Sequence, residues 1–400
     1  MASESLILSG VNILAEQFDF DQIINREGTN SLKYDARKSL FGRADVIPMW
    51  VADMDFASPA AVTAALVQRA SSPIYGYTDY PDGVYDAMIN WFDKRYGWLI
   101  QRDWIMMCPG VVPSLHAAAM AFAEKGEAII VQPPVYFPFF SAVKNTGRAL
   151  IENTLVLENN HYSIDFKQLE ENAKNAKMLF LCSPHNPVGR VWRQEELAQI
   201  ISIAEKYQLV IFSDEIHADL TYPETKHYPL ASLSDTAHVI TAVAPSKTFN
   251  IPGLGLSALI VPNANDRHKL NAAFETLHVS AANPFSIVAF EAAYSHGGAW
   301  LDALLDYLTK TRDFIADYLS TYLSQIKLIV PEGTYLLWLD CRALGLSDQA
   351  LKHFFIHQAG IGLSPGTLFG NGGSGFMRMN IAMPRQVIAQ ALDNIRHALD

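Results

Sequence analysis

The chain has 400 residues, half of them hydrophobic, and its 30 Lys and Arg against 41 Asp and Glu give a net charge of −11. An acidic balance offers no basic surface for a polyphosphate backbone, so we expect a small-molecule partner and no nucleic acid. Cys108, Cys182 and Cys341 form no CxxC motif and are odd in number, which argues against a disulfide framework and indicates a reducing, cytoplasmic location. No apolar run reaches the ~18 residues of a membrane span and no signal peptide is recognisable, so no membrane partner is expected.

The pattern along the first two thirds of the chain is that of an α/β domain. The first 45 residues are polar and irregular, and we expect an extended arm there. From residue 46, short runs that are apolar throughout alternate with amphipathic stretches, as in a mostly parallel sheet covered by helices on both faces. The predicted strands lie at 128–131, 178–181, 209–212, 239–243 and 257–261, and the predicted helices at 60–69, 85–96, 114–124 and 193–207.

Beyond residue 284 the pattern changes to long helical stretches with few strands. The helices are predicted at 286–295, 300–323, 348–359 and 386–398, and strands at 335–339 and 376–381. We therefore expect a larger domain over 46–284, and a smaller α+β domain formed by 285–400 together with the arm 1–45.

Three unusual segments follow predicted strands of the larger domain, namely 183–190 (SPHNPVGR), 213–217 (SDEIH) and 246–250 (SKTFN). Ligands of open α/β sheets bind at the carboxyl ends of the strands. Each segment has an ordinary explanation by itself: a turn at Asn186, a helix cap by Asp214, or a surface lysine at Lys247. Together they predict a cofactor site.

The residue types in these segments suit a cofactor that has an aldehyde, a pyridine ring and a phosphate. A lysine in apolar surroundings, such as Lys247, has a lowered pKa and can form a Schiff base with an aldehyde. A buried carboxylate such as Asp214 can keep a pyridine nitrogen protonated, which makes the ring an electron sink. The amide of Asn186 can donate to a ring oxygen.

Segment 108–114 supplies a candidate site for the phosphate. Gly110 is expected to end a strand and Pro113 to lie in the first turn of a helix, so the N–H groups of Val111 and Val112 would point outward. The run 133–137 (PPVYF) offers a clamp for the ring.

The three segments together resemble those of the fold-type I, pyridoxal 5′-phosphate (PLP) enzymes of the class I/II aminotransferase family. Segments 51–56 (VADMDF), 75–78 (YGYT) and 332–335 (EGTY) narrow the resemblance to the C–S β-lyase branch, of the cystathionine β-lyase type. The resemblance runs from about residue 32 to the C-terminus. It implies the PLP-dependent transferase fold, an α/β fold with a mostly parallel, seven-stranded sheet in the large domain and a smaller α+β domain.

The resemblance also implies a role for each matching residue around the cofactor ring. Lys247 would carry PLP as a Schiff base and move the Cα proton of the substrate. Asp214 would pair with the pyridinium nitrogen, Asn186 would contact the ring oxygen and Tyr136 would stack on the ring. Where many members have a tyrosine three residues after the aspartate, this chain has His217, whose protonation would tune the cofactor.

The resemblance places the phosphate on Ser246 and on the N–H groups of Val111 and Val112. Tyr77 would reach the active site of a partner subunit, so a homodimer with shared active sites is implied. Many members have Arg or Lys eight residues after the Schiff-base lysine, but this chain has Gly255. Phosphate binding would therefore depend more on backbone N–H groups, Ser246 and Tyr77.

For the substrate, the resemblance makes Arg378 the group that grips the α-carboxylate through a bidentate pair, with Asn186 and Tyr136 beside it. The implied reaction is β-elimination of cystathionine, cysteine or a related S-substituted amino acid to a thiol, pyruvate and ammonia. Lys247 or Tyr77 would protonate the leaving thiolate. An aminotransferase with the same site stays open as the alternative, and a PLP-binding regulatory protein is a weaker one.

Two other motifs do not predict sites. Segment 370–375 (GNGGSG) contains GxGxxG but precedes a strand rather than a helix, which argues against a dinucleotide site. His353 and His357 are spaced like metal ligands, yet no third ligand is near them in the sequence, so we expect no metal.

Overall fold

The computed structural model describes residues 18–279 and 282–400. Its strands are, in chain order, β1 (Ile47–Pro48), β2 (Ile105–Cys108), β3 (Ala128–Val131), β4 (Ala149–Glu152), β5 (Val156–Glu158), β6 (His161–Ser163), β7 (Ala176–Cys182), β8 (Val210–Asp214), β9 (Val239–Val243), β10 (Ser257–Ile260), β11 (Lys327–Ile329), β12 (Leu336–Asp340), β13 (Ile361–Gly362), β14 (Ser364–Pro365) and β15 (Phe376–Asn380).

The α-helices of the same residues are α1 (Leu32–Asp35), α2 (Arg37–Phe41), α3 (Ala60–Ala70), α4 (Asp82–Tyr96), α5 (Val111–Phe122), α6 (Pro138–Asn145), α7 (Phe166–Ala173), α8 (Gln194–Tyr207), α9 (Pro245–Thr248), α10 (Ala264–Leu277), α11 (Pro284–His296), α12 (Gly298–Tyr322), α13 (Asp348–His353) and α14 (Arg385–Leu399). None of the helices described is long and apolar enough to cross a membrane.

Seven strands form the central sheet, in the order β2, β10, β9, β8, β7, β3, β4. β10 runs antiparallel to both of its neighbours, and the other pairs are parallel. Successive residues of one strand enter different cores: in β7, Met178 and Phe180 pack in one cluster, and Leu179 and Leu181 in the other. The sheet is therefore buried on both faces, which is why its strands read as continuous apolar runs.

A second, four-stranded antiparallel sheet has the order β11, β12, β15, β14. In it Arg378, on the central strand β15, lies between Trp338 of β12 and Ser364 of β14. The segment 332–334 joins this sheet to the loop after β7, because the N–H of Gly333 donates to the Gly189 carbonyl at 3.0 Å. The guanidinium of Arg190 contacts Glu332 at 2.8 Å across the same junction.

The predicted fold class, α/β with a large and mostly parallel central sheet, is confirmed. β3 and β9 have the predicted bounds, and the other predicted strands and helices differ by a few residues at their ends. Two details were wrong. Gly110 does not end a strand, because β2 stops at Cys108 and Gly110 caps α5. The single helix expected over 348–359 is α13 followed by a π-helical turn, Phe354–Gln358.

The N-terminal arm was also predicted to be without regular structure. Its residues 1–17 lie outside the described part of the chain. The remainder contains α1 and α2, and both Phe20 and Lys33 are buried. Their burial shows that this segment is packed against the rest of the protein.

Candidate active site

The three segments singled out in the sequence meet at one edge of the central sheet. β7, β8 and β9 are neighbouring parallel strands that end at Cys182, Asp214 and Val243, and the three segments lie at or just beyond these strand ends. A cavity of about 600 Å³ opens at this edge. Nine of the ten predicted site residues line it: Val111, Val112, Tyr136, Asn186, Asp214, His217, Ser246, Lys247 and Arg378.

Lys247 lies on α9, the short helix that begins with Pro245 directly after β9. Its Nζ donates to the carbonyl oxygen of Ala52 at 2.7 Å. Burial in the surrounding protein, together with the positive charge of Arg378, lowers the pKa of Lys247 to about 8. A substantial fraction of this amine is therefore neutral near physiological pH and able to act as a nucleophile or base.

Asp214 is the last residue of β8, and its carboxyl group is buried in the cavity wall. Burial raises the pKa of Asp214 to about 7, and a 3.2 Å hydrogen bond from the Ile216 N–H opposes that rise only in part. The next residue, Glu215, points away from the cavity and accepts hydrogen bonds from Ser213 and His227, both at 2.8 Å. Of the two adjacent carboxylates, only Asp214 faces the site.

Asn186 and His217 are buried on neighbouring loops. The Asn186 side-chain oxygen accepts a hydrogen bond from Arg378 at 3.0 Å, and its backbone carbonyl accepts one from the N–H of Tyr136 at 3.1 Å. Burial, reinforced by the charges of Lys247 and Arg378, lowers the pKa of His217 to about 3. Its imidazole is thus neutral near pH 7, and its buried Nδ1 has no hydrogen-bond partner among the described residues.

The N-terminus of α5 forms a cradle for an anion. Gly110 precedes the helix in extended conformation, and the N–H groups of Val111 and Val112 belong to the first turn, where no helical carbonyl can accept them. Ser246 and Gly255 line the same end of the cavity. Because Gly255 has no side chain, this end offers N–H and hydroxyl donors in place of a cationic side chain.

Arg378 of β15 also lines the cavity. It donates to the Trp50 carbonyl at 2.7 Å and to Asn186 at 3.0 Å, and its guanidinium lies 4.9 Å from the centre of the Phe369 ring. Within the described residues it contacts no carboxylate, and its Nε has no partner. Burial lowers its pKa to about 10, so the guanidinium remains charged and available to an anionic group.

The loop at residues 50–53 had no predicted role in the site, although residues 51–53 belong to a segment that carries the family resemblance. Two backbone carbonyls of this loop, those of Trp50 and Ala52, bind side chains of the site. Trp50 accepts from Arg378, and Ala52 accepts both from Lys247 and from the Tyr335 hydroxyl at 3.0 Å. Backbone carbonyls carry no residue-specific signal, so only the structure reveals this contact.

Tyr77 is the predicted site residue that lies elsewhere. Its side chain is fully exposed and borders a shallow surface groove with Tyr75 and Phe285. In a single subunit it does not line the cavity.

The residues that line the cavity fit PLP. The partly neutral amine of Lys247 suits the aldehyde, and the α5 cradle suits the phosphate. Asp214 is a buried carboxylate without a cationic partner at hydrogen-bond distance among the described residues, which suits a pyridinium nitrogen. His217, whose Nδ1 has no partner among the described residues, lines the same cavity.

Comparisons with known proteins agree with this description. The model of the family "Aminotransferase class I and II" matches residues 44–395. Cystathionine beta-lyase PatB of Bacillus subtilis is 42% identical over 385 residues, 95% of this chain and 100% of that protein. Protein MalY of Escherichia coli is 30% identical over 96% of this chain and 99% of its own length.

Among solved structures, cystalysin from Treponema denticola, which contains a pyridoxal 5′-phosphate cofactor, superposes with a TM-score of 0.93 at 38% identity. The alignment covers 96% of this chain and 99% of cystalysin. These relatives confirm the C–S β-lyase branch that was predicted from the sequence. The chain belongs to the class I and II aminotransferase family.

Proposed function

We propose that this chain is a PLP-dependent carbon–sulfur β-lyase of the cystathionine β-lyase type. The observation that carries the proposal is one cavity lined by Asp214 and Lys247, at the ends of the neighbouring strands β8 and β9, and by Arg378 of β15, which contacts no carboxylate among the described residues. The similarity to PatB and cystalysin along nearly the whole chain supports the lyase over other PLP reactions.

When bound, PLP supplies an aldehyde for covalent attachment of an amine and a pyridinium ring that withdraws electrons from the substrate Cα. Asp214 would hold the ring nitrogen protonated, Asn186 and His217 would flank the ring, and Tyr136 would cover it. Ser246 and the N–H groups of Val111 and Val112 would hold the phosphate. Asn186 and Asp214 are already positioned by hydrogen bonds, from Arg378 and from the Ile216 N–H respectively, so these two side chains need little reorganisation.

Arg378 would orient the substrate by its α-carboxylate and so direct the Cα–H bond toward Lys247. Lys247 Nζ takes the Cα proton, the Cβ–S bond breaks, and the electron pair leaves with sulfur. The thiolate then takes a proton from Lys247 or from Tyr77 of the partner subunit. Addition of water to the remaining fragment releases pyruvate and ammonia.

The test is incubation of purified protein with PLP and L-cystathionine in the absence of a keto acid. We expect one pyruvate and one thiol per substrate consumed. Lys247→Ala should abolish the reaction, and Lys206→Ala, at an exposed lysine on α8, should not. Product that appears only after a keto acid is added would identify an aminotransferase, and no product under either condition would refute the proposal.

We also propose a homodimer in which Tyr77 completes the neighbouring site, and a cytoplasmic location, supported by three free, buried cysteines. Residues 46–284 would form the large domain, with 1–45 and 285–400 forming the small one. Closure of the small domain would bring Arg378 onto the substrate, since Arg378 lies on the four-stranded sheet and Lys247 on the seven-stranded one.

A further inference from the structure

In the proposed function, every charged side chain that lines the active-site cavity contacts either the cofactor or the α-carboxylate of the substrate. The titratable side chains of its described lining are Asp214, His217, Lys247 and Arg378, beside Tyr136 and the thiol of Cys182. In the proposed function, Asp214 and Lys247 face the cofactor and Arg378 faces the α-carboxylate. No further Lys, Arg, Asp or Glu is left among these lining residues for the far end of a substrate.

The wall next to Arg378 is apolar instead. Arg378 lies over the ring of Phe369, whose carbonyl accepts a hydrogen bond from the Val135 N–H at 2.9 Å. The segments that carry Leu368 and Phe137 are thereby held side by side, and both of these side chains line the cavity while about half exposed, at 51%.

Leu32 borders the cavity as well, and we call the opening bordered by Leu32, Phe137 and Leu368 the mouth. The indole N–H of Trp50 donates to the Lys33 carbonyl at 3.3 Å, and the Trp50 carbonyl binds Arg378, so Leu32 is attached to the same wall. Its side chain is 62% exposed and lines the cavity. The ammonium of the adjacent Lys33 is fully buried on Asp55 at 2.9 Å and cannot turn into the mouth.

The segment around Tyr77, which is proposed to reach this site from a partner subunit, would add no positively charged side chain to it. Residues 72–80 (SPIYGYTDY) contain three tyrosines, one isoleucine and no Lys or Arg. Ile74 and Tyr75 are exposed in the single subunit, like Tyr77.

We infer that this mouth, bordered by Leu32, Phe137 and Leu368, selects cysteine conjugates whose sulfur carries an uncharged, apolar substituent, in preference to cystathionine. The inference rests on the proposed β-elimination. Cystathionine ends in a second ammonium and carboxylate, and these would lose water against apolar walls without gaining a partner. An alkyl or aryl substituent would bury apolar surface there instead.

The kinetic test compares L-cystathionine with S-(3-methylbutyl)-L-cysteine, in which methyl groups replace the distal ammonium and carboxylate. We expect kcat/KM for pyruvate release to be on the order of tenfold higher, or more, for the apolar substrate. Leu368→Arg should lower the ratio of the two kcat/KM values, apolar substrate over cystathionine, because it places a cation near the distal carboxylate of cystathionine. Leu346→Arg is the matched control, because this exposed leucine lies outside the cavity, and it should leave the ratio unchanged.

A binding test separates recognition from turnover. Thioethers of L-homocysteine have sulfur at the γ position, where β-elimination cannot expel it. Calorimetry on the PLP-loaded protein should give a lower Kd for S-(3-methylbutyl)-L-homocysteine than for L-homolanthionine. Leu368→Arg should raise the Kd of S-(3-methylbutyl)-L-homocysteine and lower the Kd of L-homolanthionine.

The outcomes are distinguishable. Equal or better turnover of cystathionine, or a ratio that Leu368→Arg leaves unchanged, would overturn this inference while leaving the β-lyase proposal in place. Absence of pyruvate from both substrates would instead contradict the proposed function.

Discussion

At the scale of single residues, the positive charges of Lys247 and Arg378 in the cavity repel each other. The charge of Arg378 is one cause of the lowered pKa of Lys247, after burial itself. Lys247 is therefore mostly protonated below about pH 8 and mostly neutral above it. Reductive methylation of PLP-free protein, quantified at Lys247 by peptide mass spectrometry, should accelerate as pH rises, with its midpoint near 8.

Arg378→Gln should move that midpoint to higher pH, because removing a nearby cation favours the protonated amine. Arg102→Gln removes an exposed arginine outside the cavity and should leave the midpoint in place. A midpoint that Arg378→Gln does not change would contradict the electrostatic coupling of these two residues.

Asp214 illustrates a residue whose function costs stability. Its folded pKa of about 7 exceeds the ordinary value of 3.8 because burial disfavours the carboxylate. The PLP-free protein therefore loses stability as pH rises from the lower to the higher pKa. Asp214→Asn removes that loss, so its advantage in free energy of unfolding should grow by roughly 2 kcal/mol between about pH 5.5 and pH 8.

Chemical denaturation of PLP-free protein at the two pH values measures this difference, and PLP titration should show weaker cofactor binding in the same variant. The inference would be wrong if the stability advantage of Asp214→Asn over the parent did not grow between the two pH values, or if the variant bound PLP as tightly as the parent.

At the scale of structural elements, the loop at residues 50–53 is positioned by an ion-pair cluster beneath it. Asp55 contacts Arg26 at 2.6 Å and Lys33 at 2.9 Å, and the Lys33 side chain is fully buried. Lys33 Nζ also donates to the Asp53 carbonyl at 3.2 Å. The N-terminal segment thus holds the loop whose carbonyls bind Lys247 and Arg378.

Asp55→Ala should lower the free energy of unfolding by about 3 kcal/mol, because it leaves a buried ammonium without its nearest carboxylate. Asp306→Ala, which removes an exposed pair with Lys310 on α12, should change it little. The denaturation midpoints of the two variants test the comparison, and equal effects would mean that the cluster beneath the loop is no more stabilising than a surface pair.

At the scale of the whole molecule, the role proposed for Tyr77 depends on a second subunit, because its side chain is fully exposed in a single one. Lys247→Ala and Tyr77→Ala should each be inactive alone. Unfolded together and refolded, they should form mixed dimers in which one site has both wild-type residues. We expect recovery of about a quarter of the parent activity, since half of the dimers are mixed and each has one intact site.

Activity that is not recovered on mixing would place Tyr77 in its own subunit's site, and full activity of Tyr77→Ala alone would remove it from the reaction. Gel filtration of each variant checks that the dimer itself persists.

The regular elements were largely predictable because their signals are local. Strands buried on both faces show uninterrupted apolar runs, and α8 shows apolar residues at Leu197, Ile200, Ile201 and Ala204 on one face. The turn after α13 was not predictable. A π-helical turn differs from an α-helix by one shifted hydrogen bond, and the apolar spacing barely changes.

The candidate site was predictable where chemistry depends on side chains. Lys247, Asp214 and Asn186 lie at or just after the ends of strands that become neighbours, and the structure places all three in one cavity. The contacts of Lys247 and Tyr335 with Ala52 and of Arg378 with Trp50 were not predicted, because all three are accepted by backbone carbonyls, which every residue has.

The sequence by itself determined the fold class, the family and the residue types of the site, because these depend on periodicity and on side chains at fixed positions along the chain. Only the tertiary structure decided the electrostatics. Burial shifts the pKa values of Lys247, Asp214 and His217, and the charge of Arg378, which lies far from them in sequence, further lowers those of Lys247 and His217. Burial and distance between charges are properties of the folded chain, and they determine which of these groups can bind or move a proton.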